Sequence, residues 1–345
     1  MTPLLARLAE RIRRDGPLGV DAYMALALDD YYAARDPLGT DGDFTTAPEI
    51  SQLFGEMLGL WCADLWQRAG RPAPWRLVEL GPGRGTLMAD ALRALATVPA
   101  CRDAARVHLV ETSPALQARQ AAALADAAPA WHVTLADVPP GPTLLLANEF
   151  FDALPVQQRI ATADGWRERR IGLDGDRLVF VAGPPADGPD APPGTIMEVA
   201  PARDDWMRAV ATRLTRHGGA ALVVDYGPAE SAVGETLQAV RGHAYADALA
   251  TPGEADLTAH VDFAALAETA RAAGAQVHGP ATQRDFLVAL GILPRAEALA
   301  GGAQPAARRG LETGLERLIG QRHMGTLFKA MAVTGRNAPR PAGFA

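Results

Sequence analysis

The segment Gly81-Pro82-Gly83-Arg84-Gly85 has a carboxylate, Glu79, two residues before it and follows the apolar pair Leu77-Val78. Glycines placed after a strand let the chain turn tightly and bring backbone amides close to a ligand, and a helix starting there favours negative charge at its first turn. A second carboxylate ends the run Leu109-Val110-Glu111, where nucleotide-binding folds accept two ribose hydroxyls. Together these features specify an adenosine-bearing ligand and leave NAD and S-adenosylmethionine (SAM) both open. Glu79 favours SAM, because a carboxylate beside the loop repels a pyrophosphate and attracts cationic aminoacyl and sulfonium groups. The expected cofactor-binding residues are Glu79, Gly81, Gly83, Gly85, Glu111 and, at the end of a later strand, Asn148.

That later strand runs into Asn148-Glu149-Phe150-Phe151-Asp152-Ala153-Leu154-Pro155. Ligands of open α/β sheets sit beyond the carboxyl ends of the strands, and two acids flanking two phenylalanines suit a flat cationic group. Asp225-Tyr226-Gly227 ends a further strand at the same rim. No metal site is expected, since Cys62 and Cys101 lack paired zinc-ligand spacing and form no disulfide framework.

These residues need a parallel sheet to hold them. Strands are expected at Arg76 to Leu80, Val107 to Glu111, near His132 and at Thr143 to Asn148, with helices Thr86 to Ala96 and Pro114 to Ala127 between them. This alternation demands a doubly wound α/β core with a Rossmann-like sheet. Helix Pro201 to His217 and strand Ala220 to Tyr226 continue it, and strands Gln276 to His278 and Leu327 to Val333 follow. Ahead of the core, helices are expected at Leu4 to Arg14 and Val20 to Tyr31, then a glycine- and aspartate-rich loop. Thr46 and Glu49 match a capping box, with Pro48 in the first turn, so one long helix is expected from there to Gly70. From Val156 to Val181, short runs broken by Asp164-Gly165 and Asp174-Gly175 predict an antiparallel meander inserted into the sheet, and Gly183 to Gly194 reads as a loop. The expected organisation is an N-terminal helical lid or substrate region over 1–70, a core over 71–155 and 195–335, and the meander and loop over 156–194.

Composition narrows the classes. With 48% hydrophobic and 21% charged residues in 345, the chain resembles an ordinary globular protein. A net charge of −7 argues against nonspecific binding to nucleic acid or an anionic membrane. No apolar run approaches the ~18 residues of a membrane span. Arg7, Arg11, Arg13 and Arg14 are interleaved with Glu10 and Asp15, unlike an acid-poor transit peptide. The expected location is therefore cytoplasmic, and a homodimer is compatible with everything above.

Four stretches in order resemble the MidA family of SAM-dependent methyltransferases, which includes a mitochondrial complex I assembly methyltransferase. They are Gly42-Asp43-Phe44-Thr45-Thr46-Ala47-Pro48-Glu49-Ile50-Ser51-Gln52, Glu79-Leu80-Gly81-Pro82-Gly83-Arg84-Gly85-Thr86-Leu87, Asn148 to Pro155, and Asp256-Leu257-Thr258-Ala259-His260-Val261-Asp262-Phe263. The likeness continues through Thr282 to Leu287 and Met324 to Lys329, and departs at Leu28 to Tyr32, which lacks the family's proline and glycine before paired tyrosines. The resemblance implies a class I methyltransferase fold with a late antiparallel strand, and protein arginine methylation with a complex I subunit as the mitochondrial member's substrate.

Methyl transfer needs position more than acid–base machinery. Glu149 and Asp152 are the expected catalytic pair, holding two guanidinium nitrogens and directing the third at the methyl group. Phe44 is expected to close over the cofactor, and Phe44, Thr45, Asp225, Tyr226, Thr258, His260 and Asp262 to line the substrate side. The rival readings are a methyltransferase acting on a small molecule or another nucleophile, and a SAM-binding assembly scaffold without turnover.

Overall fold

A computed structural model describes residues 2–34 and 45–344; the expectations for Phe44 and for the preceding loop lie outside them. Contacts divide the described chain into two compact units. One comprises 2–34, 152–205 and 230–262, and the other 45–151, 206–229 and 263–344. This division differs from the boundaries expected from sequence: residues 45–70 belong with the parallel core, and 230–262 with the meander.

The larger unit is built on a seven-stranded sheet: β1 (Trp75–Leu80), β2 (Ala105–Val110), β3 (Ala130–His132), β4 (Thr143–Asn148), β5 (Gly219–Tyr226), β6 (Gln276–Thr282) and β7 (Phe328–Thr334). Their spatial order is β6-β7-β5-β4-β1-β2-β3. The first five strands run parallel, while β7 lies antiparallel between β5 and β6. This is the late antiparallel strand that the family resemblance implies. Central strands are apolar on both faces because helices cover both: Leu77, Val78, Leu145, Leu146 and Val223 are buried.

The expected long helix is interrupted. A four-residue helix, Ala47–Ile50, stops at Ser51, whose extended backbone breaks the run, and helix Gln52–Arg68 begins anew with the Ser51 hydroxyl accepting from Leu53 N–H. Thr46 makes no side-chain cap. Helix Gln52–Arg68 then lies directly on helix Thr86–Leu95: a Cβ on Gly55 or Gly59 would come within 2.5 Å of Asp90 Cβ or of Ala91 O. Two glycines one turn apart thus set how closely the N-terminal segment packs on the helix that follows the glycine loop.

In the smaller unit the meander is not part of the parallel sheet, as expected from sequence, but forms a sheet of its own. Gln157–Thr162, Gly165–Asp174 and Arg177–Pro185 are joined by Leu18–Gly19 and by Ile196–Val199. Helices Pro3–Asp15 and Val20–Ala34 belong to this unit, with Leu4, Leu8, Tyr23 and Met24 buried in its core beside Val156 and Ile171. A third sheet of three short strands, Gln238–Arg241, Ala244–Ala246 and Asp256–Thr258, also belongs here.

Candidate active site

β1 delivers Glu79 and then the glycine loop. Gly81, Gly83 and Gly85 have φ of +60°, +52° and +85°, a left-handed region costly for any residue with a Cβ. Gly81 has a second constraint, since a Cβ there would lie 3.0 Å from the Phe150 ring. Gly85 caps helix Thr86–Leu95. At this helix N-terminus the Thr86 hydroxyl donates to Glu49, whose other oxygen lies 3.7 Å from Arg84 Nη1. The acid read as part of a capping box thus serves a different helix. It also places a carboxylate beside the first turn of the helix after the glycine loop, where it would repel a pyrophosphate.

Glu111 follows β2 and is 8% exposed. One oxygen accepts from Ser113 N–H at 2.8 Å and the other from Gln120 Nε2 at 3.2 Å. The same Gln120 nitrogen donates to Gly83 O at 2.8 Å, and Trp131 Nε1 donates to Gln120 Oε1 at 2.8 Å. Gln120 therefore ties the glycine loop, the acid and β3 together. Sequence reasoning missed it: a glutamine in an alanine-rich helix carries no periodic signal, and only its complete burial marks it.

Glu79 is 3% exposed and its Oε2 has no hydrogen-bond partner among the described residues. Burial, and secondarily the charge of Glu111, push its carboxyl up to about 8. Burial also raises Glu111, opposed by its hydrogen bonds from Ser113 and Gln120. Asn148, one step beyond the register pair Leu80 and Ala147, is 9% exposed and likewise leaves Oδ1 without a donor. Two buried acceptors beside a glycine loop are costly unless something donates to them. The ammonium and hydroxyl donors of SAM meet that need, so the residues fit this cofactor.

Glu149, next along the chain, has φ +48°, an uncommon backbone for a non-glycine residue. Its Oε1 accepts from Ala47 N–H at 3.0 Å and from Asn148 Nδ2 at 3.2 Å. Phe150 stacks edge-on against Trp206 and Phe151, with ring centres 5.0 and 5.4 Å apart. Asp225, fully buried at the end of β5, accepts from the backbone N–H of Phe151 at 3.1 Å and of Tyr226 at 2.9 Å. It thereby fastens the turn that presents Glu149. Tyr226 packs on Phe328, ring centres 5.3 Å apart. Thr45 is half-buried just before helix Ala47–Ile50.

The smaller unit holds the remaining expected residues around Arg203. This arginine is 4% exposed, and its guanidinium donates to the carbonyls of His260 (2.6 Å), Ala259 (2.8 Å) and Asp152 (3.2 Å). Ala259 N–H returns a bond to Asp152 O. Thr258 Oγ1 accepts from Gln238, and His260 N–H donates to Thr236 Oγ1. Arg203 thus joins two of the stretches that carry the family resemblance. It was missed because one arginine on an amphipathic helix resembles any other.

A Rossmann-like parallel sheet with an antiparallel late strand, a glycine loop beside Glu79 and an acid after the second strand define the class I methyltransferase architecture. The sequence profile of the family described as "Putative S-adenosyl-L-methionine-dependent methyltransferase" matches residues 57–281. The chain is 37% identical to protein arginine methyltransferase NDUFAF7, mitochondrial, of Danio rerio, over 98% of this chain and 88% of the relative. Against the Homo sapiens protein of that name it is 37% identical over 96% of this chain and 83% of the relative. A crystal structure described as that of "a COG1565 superfamily member and likely methyl transferase from Burkholderia thailandensis bound to S-adenosyl-homocysteine" superposes with a TM-score of 0.84 at 28% identity, covering 99% of this chain and 93% of that one. The chain belongs to this family and is a SAM-dependent methyltransferase.

The relatives also correct one expectation. They are named as mitochondrial, against the cytoplasmic location expected from sequence.

Proposed function

We propose that the chain methylates arginine side chains of a protein partner, with the cofactor held by Glu79, Glu111, Asn148 and the Gly81–Gly85 loop. The observation that carries the cofactor assignment is the pair of buried acceptors, Glu79 Oε2 and Asn148 Oδ1, beside that loop. SAM supplies an electrophilic methyl group when bound. The chain's own part is to orient the nucleophile and exclude water.

Glu149 is the proposed guanidinium holder. Its carboxylate is fixed by two donors on a strained backbone at the carboxyl edge of the sheet, and a fixed acceptor suits a donor-only guanidinium. Asp152 is proposed for the acceptor side, with Thr45, Tyr226, Thr258 and His260. The relatives' name, protein arginine methyltransferase, supports an arginine acceptor. A respiratory complex I subunit or a related protein is the partner class that the family likeness suggests.

The test is kinetic. Glu149→Gln should leave S-adenosylhomocysteine affinity within about twofold and cut methyl transfer by at least about tenfold, because an amide offers donors where the guanidinium needs acceptors. Asp152→Asn is expected to behave alike. Full turnover in both variants rejects the guanidinium assignment and favours a small-molecule or other nucleophile.

A further inference from the structure

The cofactor residues occupy the carboxyl edge of the seven-stranded sheet. At the opposite edge, where β1, β4 and β5 begin and β7 ends, the larger unit contains a cleft of about 1020 Å³. Basic side chains reach it from separate elements. Arg68 ends helix Gln52–Arg68, Arg216 and His217 end helix Pro201–His217, and Arg336 follows β7. Among the described residues no carboxylate lines the cleft, in a chain whose net charge is −7.

These charges are unequally matched. Arg68 pairs with Asp64 and donates to Arg340 O, so its demand is met. Arg216 and Arg336 form no ion pair among the described residues, and Arg336 Nε reaches Gly274 O at 3.4 Å. Desolvation, with Arg213 and Arg216, holds His217 below its ordinary value, as expected in positive surroundings. Basic side chains in the last turn of a helix complement its negative end, which accounts for Arg216 and His217. It does not account for Arg336, on a different element, or for the lack of an acid across the cleft.

The volume is that of a small-ligand site, and the surface is concave where a protein partner would meet a flatter face. We propose that this cleft binds a small, multiply charged anion bearing phosphate or carboxylate groups, held by Arg216, His217 and Arg336. Such a site is separate from methyl transfer and is built from the same unit's opposite edge.

Calorimetric titration of the full chain with inorganic pyrophosphate, and separately with citrate, tests this. Saturating S-adenosylhomocysteine keeps the cofactor site filled throughout. At low ionic strength at least one anion should bind, more weakly as salt is raised. Tighter pyrophosphate binding identifies a phosphate ligand, and tighter citrate binding a carboxylate. Both arginines are exposed, so Arg216→Ala with Arg336→Ala leaves the core untouched. The double variant should lose at least about tenfold in anion affinity, the loss of charge-assisted contacts, while keeping wild-type affinity for S-adenosylhomocysteine. Binding of neither anion by the wild-type chain, or equal binding by the double variant, overturns the proposal.

Discussion

At Glu79 two effects act in one direction. Burial disfavours its charged form and the nearby Glu111 adds repulsion, so the carboxyl sits at about 8 instead of its ordinary 4.5. Without cofactor it is mostly protonated at pH 7. A bound cation favours the carboxylate, so SAM binding at pH 7 should release close to one proton. Calorimetry in two buffers of different ionisation enthalpy measures this, and Glu79→Gln should abolish the release. The same shift bears on stability: a raised acid contributes stability that is full below about 4.5 and lost as pH rises through about 8. The cofactor-free protein should therefore melt lower at pH 8 than at pH 6, by a margin that shrinks in Glu79→Gln. Glu111→Ala should weaken cofactor binding by about 1–3 kcal/mol, the loss of charge-assisted hydrogen bonds to ribose. An unaltered dissociation constant would place Glu111 elsewhere. Residue types and strand-end positions were enough to single out Glu79 and Glu111. Gln120 was not legible, because its role comes from partners distant in sequence: Gly83, Glu111 and Trp131.

Between elements, the parallel core was legible because its signals are local. Apolar runs, glycines at turns and helix stops mark β1, β2, β4 and β5 to within two residues, and β4 at Thr143–Asn148 coincides with its expected bounds. What failed depended on context. Ser51 breaks a helix whose apolar spacing continues across it, and strand Ile196–Val199 pairs with Gln157–Thr162 although a proline- and glycine-rich stretch precedes it. The site in the smaller unit rests on Arg203, whose fork spans three carbonyls. Arg203→Lys keeps the charge but replaces the planar fork with a point donor. Each buried carbonyl left unmatched costs about 1–3 kcal/mol. Hydrogen exchange of the Ala259 and His260 amides should rise in this variant while affinity for S-adenosylhomocysteine stays at the wild-type value. Unchanged exchange would show that Arg203 does not hold that segment.

Across the whole molecule, a net charge of −7 suits attraction to a basic acceptor, and no described helix is long and apolar enough to cross a membrane. The central claim is that SAM-dependent methyl transfer by this chain ends on arginine. Its most direct test is incubation of the purified protein with methyl-labelled SAM and lysate from a strain lacking it, followed by acid hydrolysis and separation of the labelled amino acids. The predicted result is label in methylarginine, absent from reactions with Glu149→Gln. Label confined to small molecules, or recovered on any amino acid other than arginine, would contradict the account.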